Sequence, residues 1–136
     1  MADGLKVRFW GVRGSISCSG AEYARYGGNT SCLEVTAAGR RLIFDAGTGI
    51  RTLGVELARQ APLDIDIYFT HTHLDHISGL TFFAPLFERR NSVRMWAGHL
   101  EAPYTLKKVV GHLMQAPLYP VSLEVFQATV AFKEFK

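Results

Sequence analysis

One hexapeptide, His71-Thr72-His73-Leu74-Asp75-His76, constrains this chain more than any other feature. It gathers three of the chain's five histidines and an aspartate. It follows an apolar run, Ile65-Asp66-Ile67-Tyr68-Phe69-Thr70, which reads as a short buried strand. Imidazole and carboxylate are the donors that borderline divalent metals such as zinc prefer. On extended backbone His71 and His73 share a face by the period of two. Asp75 and His76 come after the chain must turn. The arrangement suits two neighbouring metals: His71 and His73 for the first, Asp75 and His76 for the second. A single histidine beside an apolar run is ordinarily a satisfied core or surface residue. Three of them with an aspartate, directly after a strand, are not explained that way.

The remaining composition sets bounds. A chain of 136 residues forms one domain, 1–136, with a real but modest core. Hydrophobic residues make up 48% and charged residues 20%, as in ordinary soluble globular proteins. No apolar run is long enough to cross a membrane, and Met1-Ala2-Asp3-Gly4 lacks the basic and apolar regions of an export signal. The cytoplasm is the expected compartment. Cys18 and Cys32 form no metal-ligand spacing and are expected as free thiols there. A net charge of +3 fits a phosphate-bearing substrate and equally an ordinary soluble protein, so it decides little.

Along the chain, Leu5–Trp10 alternates as a half-buried strand does. Residues 11–28 form a long Gly- and Ser-containing loop, and loops of this length in compact domains are often functional. Ser31–Thr36 and Arg41–Asp45, joined at Ala38-Gly39, read as a hairpin. Asp45 ends the second strand, where a carboxylate binds turn amides. Thr48 is placed to cap a helix marked by Ile50, Leu53, Gly54 and Leu57. Gly47-Thr48-Gly49 lacks the ending of a nucleotide loop. Residues 77–87 suggest a short helix and loop capping the metal site, with Phe82 and Phe83 both in the core. Val93–Ala97 and Thr129–Phe135 read as strands. Leu106, Val109, Val110 and Leu113 mark one face of a helix beginning near Pro103.

H-x-H-x-D-H after a strand resembles the metal-binding signature of the metallo-β-lactamase fold superfamily. Phe9-Trp10-Gly11-Val12-Arg13-Gly14-Ser15, Tyr26-Gly27-Gly28-Asn29-Thr30-Ser31-Cys32 and Phe44-Asp45-Ala46-Gly47-Thr48-Gly49-Ile50 resemble its branch related to ribonuclease Z and to cyclic-nucleotide or phosphonate-pathway phosphodiesterases. The resemblance runs to about Phe87 and then thins. It implies an α/β fold, the αββα sandwich built from two similar halves, of which this chain would supply the N-terminal half and a little more. It implies a divalent-metal cofactor, two zinc ions with manganese or iron as alternatives, held by His71, His73, Asp75 and His76. Two such metals hold a bridging hydroxide for hydrolysis, and Asp75 would both ligate and help orient it. Asp45 would support the histidine loop by hydrogen bonds. Asn29 would lie close by as a substrate or supporting contact.

The function implied is hydrolysis of a phosphodiester or nucleotide-like substrate. Lactone, thioester or sulfate-ester hydrolysis is the alternative within the same fold, and a non-catalytic half-domain that assembles with a partner is the alternative outside catalysis. The resembled enzymes draw further ligands from residues downstream. Here no aspartate follows Asp75, and His99 and His112 are expected to be ordinary exposed residues. Half a sandwich would leave an apolar sheet face uncovered. The expected partners are therefore further copies of the chain, as a homo-oligomer, or a missing C-terminal half.

Overall fold

Alternating apolar residues along six segments pair into one mixed sheet. The computed structural model describes residues 4–136, so part of the Met1–Gly4 stretch read above for an export signal lies outside the described residues. The strands are β1 (Lys6–Gly11), β2 (Cys32–Ala37), β3 (Arg40–Phe44), β4 (Asp64–Phe69), β5 (Ser92–Ala97) and β6 (Thr129–Glu134). They lie side by side in chain order. β1, β2 and β3 pair antiparallel, whereas β3 to β6 pair parallel. The β2–β3 turn has positive φ at both Ala38 and Gly39, 48° and 73°, the type I′ geometry that matches strand twist.

Parallel pairing requires crossovers, and helices supply two of them. α1 (Gly49–Leu57) links β3 to β4, and α3 (Leu106–Leu113) links β5 to β6. A single turn, α2 (Leu74–Ile77), follows β4. One face of the sheet presents Cys32, Ile43, Ile65, Ile67, Val93 and Met95, all fully buried. Ile50, Leu53 and Leu57 of α1 and Leu106 and Val110 of α3 belong to the same core. Each such side chain contributes about 1.5–3 kcal/mol of hydrophobic stabilisation. Among the described residues no helix is long and apolar enough to cross a membrane.

Among the described residues no helix packs on the other face. The strand register aligns Phe9, Leu33, Phe44, Tyr68 and Trp96 across five strands. Phe44 stacks on Tyr68 and Tyr68 on Trp96, at centroid separations of 5.6 and 5.7 Å. Phe9 is 69% exposed at the edge of this row. The uncovered apolar face expected from the sequence is therefore present.

Asp66 lies within that face and is nonetheless buried. It accepts hydrogen bonds from Arg94 Nε and Nη2 at 2.7 and 2.9 Å, Trp96 Nε1 at 2.9 Å and Arg40 Nη2 at 3.2 Å. Chiefly through the Arg94 bonds, its pKa is lowered from 3.8 to about 2. A carboxylate whose folded pKa is depressed stabilises the fold above its ordinary pKa. That contribution is lost as pH falls through the folded value. We expect Asp66→Asn to cost up to about 2 kcal/mol at neutral pH. Urea denaturation at several pH values should show the gap between variant and parent closing between about pH 4 and pH 2.

Three local expectations need correction. Thr48 precedes α1 but adopts helical φ/ψ and makes no side-chain cap; its hydroxyl is bonded instead to residues 29 and 30. α3 starts at Leu106, because Thr105 rather than the Pro103 region caps it, accepting from Lys108 N. Phe82 and Phe83 separate: Phe83 is fully buried, whereas Phe82 is 59% exposed and meets Tyr119 edge-on. Residues 77–87 form α2's end and two 3-10 turns, whose Leu80, Phe83 and Leu86 are buried in the core.

Candidate metal centre

Ligand sites in sheets of this kind gather at the carboxyl ends of parallel strands, where connecting loops leave a crevice. The candidate residues lie at that edge. Asp45 directly follows β3, the hexapeptide follows β4, and His99 lies two residues beyond β5.

Asp45 organises the edge. It has φ 63°, a left-handed conformation that aspartate tolerates better than most residues. In that position its carboxylate accepts from Thr70 N at 2.8 Å and from the Thr70 hydroxyl at 2.9 and 3.0 Å. The Ser31 hydroxyl donates to it at 3.2 Å. His76 Nδ1 lies 2.8 Å from Asp45 Oδ2. Only 5% of the Asp45 side chain is exposed. These bonds tie Asp45 to both ends of the histidine loop, at Thr70 and His76. Such a partner fixes the proton on Nδ1 and leaves Nε2 as the free donor atom.

Backbone contacts hold the same loops together. Ala46 N donates to His76 O at 2.7 Å, and Gly79 N donates to Ala46 O at 2.9 Å. Gly47 lies under this junction; a Cβ there would collide with the Asp75 carbonyl and with Thr30, so only glycine lets α2 pack this closely.

His76 Nε2 faces Asp75 Oδ2 at 3.4 Å. Two donors on one tetrahedral ion, each about 2.1 Å from it, stand about 3.4 Å apart. Asp75 Oδ2 also accepts from the Ser15 amide at 2.8 Å. That bond first, then Asp75's own amide and the neighbouring imidazoles, lowers the Asp75 pKa against the opposing effect of desolvation. His71 lies between His73 and His76, with ring centroids 4.6 and 4.0 Å away. Its Nδ1 is 3.1 Å from the Thr70 hydroxyl, which leaves Nε2 free. His73 is exposed. The four residues singled out in the sequence are therefore brought together. Among the described residues, no three His, Cys, Asp or Glu side chains are already arranged to hold an ion, although the Asp75–His76 pair has the spacing for one. In donor chemistry and in the fixed orientation of His76, the cluster fits a divalent metal.

Asn29 is hydrogen-bonded to residues outside this cluster. Its side-chain oxygen accepts from Thr48 Oγ1 at 3.1 Å. Thr48 in turn accepts from Thr30 N and donates its own amide to Thr30 Oγ1, at 2.9 and 2.8 Å. Asn29 O also accepts from Val12 N and Arg13 N, so Asn29 ties the long loop 11–28 to the start of α1. His112 is exposed on α3, away from the cluster's hydrogen bonds.

Three contributors escape sequence reasoning. Ser15 acts through its backbone amide and φ of 69°, which residue type does not reveal. Thr70 bridges Asp45 and His71 through one hydroxyl, and its position between strand and histidines is the available clue. His99, expected to be an ordinary exposed residue, is exposed but places Nε2 3.2 Å from the Thr72 hydroxyl. Desolvation, and then the nearby His71, lowers its pKa.

Comparison with known proteins identifies the family and the fold. The profile of the Metallo-beta-lactamase superfamily matches residues 25–113. Ribonuclease Z from Clostridium kluyveri is 35% identical over 104 residues, covering 73% of this chain and 32% of the relative. A crystal structure described as a new diphosphatase from the PhnP family superposes with a TM-score of 0.63 at 19% identity, covering 98% of this chain and 51% of that one. The metallo-beta-lactamase fold protein YhfI from Bacillus subtilis gives a TM-score of 0.58 at 15% identity, covering 98% and 48%. The chain spans about a third of the length of the curated relatives it matches and about half that of the solved structures. By the matched profile and the shared fold, the chain belongs to the metallo-beta-lactamase superfamily.

Proposed function

We propose that the chain provides the metal-binding half of a hydrolase acting on phosphodiester bonds. The observation that carries this reading is His76, clamped by Asp45 at Nδ1 and aimed through Nε2 at Asp75. His71, His73, Asp75 and His76 would hold divalent metal, with zinc the first choice and manganese or iron as alternatives. Such ions polarise a phosphoryl oxygen and bring the pKa of bound water toward neutrality. The chain's own groups do the rest. Asp45 fixes the His76 tautomer and orientation, and Thr70 holds both Asp45 and His71. The Ser15 amide keeps Asp75 ionised and turned toward His76, where it would ligate and align the attacking water. Sequence relatives named ribonuclease Z support a phosphodiester rather than a lactone, thioester or sulfate ester.

The test is hydrolysis of bis(p-nitrophenyl) phosphate with added zinc or manganese, by the parent chain and by His73→Ala. A metal-dependent rate that falls at least about 100-fold in the variant is expected. Turnover unaffected by the substitution would sink the reading.

A second reading is favoured by the uncovered aromatic face and by the absence, among the described residues, of a third side chain already arranged around Asp75 and His76. In it the chain binds metal but turns over substrate only when a second copy, or a further half, completes the site. Activity that rises with chain concentration as oligomer forms would distinguish it.

A further inference from the structure

The long loop between β1 and β2 contains a cluster that the hydrolytic reading leaves unused. Arg13, Glu22, Tyr23, Arg25 and Tyr26 line a cavity of about 290 Å³. The Arg13 guanidinium lies over the Tyr23 ring, 4.5 Å from its centroid, and Arg25 lies 5.1 Å from the Tyr26 centroid. Tyr26 is 72% exposed, so one ring face is open. Among the described residues, Arg13 Nε is the one buried side-chain nitrogen without a hydrogen-bond partner. Two arginines against one glutamate leave a net charge of +1 around the cavity.

The cluster's position gives it meaning. Arg13 is two residues from Ser15, whose amide contacts Asp75. Two residues of extended chain span no more than about 7 Å. The loop that lines the cavity therefore also reaches the metal cluster, through the Ser15 amide. Guanidinium groups bind phosphate oxygens through paired donors, and an open tyrosine face flanked by arginine accepts a stacked base.

We propose that this cavity is a nucleotide subsite. Arg13 and Arg25 would bind the phosphate of a nucleotide unit, and its base would stack on Tyr26. The inference deepens the phosphodiesterase reading by assigning the substrate an aromatic base, held by the loop that also contacts the metal cluster. It depends on that reading only for the neighbouring chemistry, because the subsite itself contains no metal-ligand candidate.

The test is therefore made in EDTA, by calorimetric titration of the chain with adenosine 5′-monophosphate and, separately, inorganic phosphate. The nucleotide is expected to bind more tightly than phosphate. Tyr26→Ala should weaken nucleotide binding about tenfold while leaving phosphate binding unchanged. Arg25→Gln should weaken both and reduce their salt dependence. Both side chains are exposed, so neither variant endangers the fold. Nucleotide affinity no better than that of phosphate, or unchanged in both variants, would overturn the proposal. The outcome is independent of the hydrolase reading. A subsite that binds in a chain without metal-dependent turnover would stand alone, and metal-dependent turnover in a chain that binds the nucleotide no better than phosphate would remove the subsite alone.

Discussion

Asp45→Ala is expected to destabilise the fold by about 3–4 kcal/mol and to weaken metal binding by about 10–100-fold. The substitution removes one side chain from five close contacts, made by Ser31, by Thr70 and by His76. The Thr70 amide and hydroxyl lose their acceptor at a position where Asp45 itself is only 3% exposed. Hydrogen bonds to a charged group contribute about 1.5–3 kcal/mol each, and the exposed Thr70 recovers part of that from water. Backbone strain adds to the loss, since alanine tolerates φ of 63° less well than aspartate. The metal effect has a separate origin: without the carboxylate, His76 is free to rotate and to carry its proton on either nitrogen. Chemical denaturation and zinc titration of the same preparation read the two effects side by side. Unchanged stability would contradict the organising role assigned to Asp45.

The second large effect isolates metal binding from folding. His73→Ala should leave stability within about 0.5 kcal/mol of the parent, because the residue is exposed and away from the core. Its ring contact is an edge-on approach to His71. Metal affinity should nonetheless fall by at least about 100-fold, as loss of one imidazole from a small donor set requires. Asp45→Ala and His73→Ala thus bracket the site. One change damages both fold and metal binding, and the other damages metal binding alone. Equal metal affinity in parent and His73→Ala would remove His73 from the ligand set.

Features set by local pattern are legible in the sequence. Strands β1 to β6 are readable because each alternates, or forms an apolar run between turns, and their ends shift by about a residue. The β2–β3 hairpin is readable because Ala38-Gly39 can adopt the positive φ angles its turn demands. The hexapeptide and Asp45 are legible because both end strands, where side chains leave the sheet together. The rest depends on contacts distant in sequence. Ser15 reaches Asp75 across sixty positions through a backbone atom, so no residue type could announce it. Thr48 has the identity of a helix cap, but Thr30 and Asn29 compete successfully for its hydroxyl. Phe82 and Phe83 are chemically identical, and the 3-10 turn decides which enters the core. His99 reads as ordinary because it is exposed, yet parallel pairing of β4 and β5 brings their carboxyl ends together and places it beside Thr72.

Metal content decides whether the His71–His76 cluster is a metal centre. The chain should be purified without chelators, separated by size and subjected to elemental analysis alongside His73→Ala. Zinc, manganese or iron is expected bound to the parent, at up to about two ions per chain in an assembled fraction, and lost from the variant. A folded parent chain that carries no metal, and takes up neither zinc nor manganese on titration, would contradict that assignment.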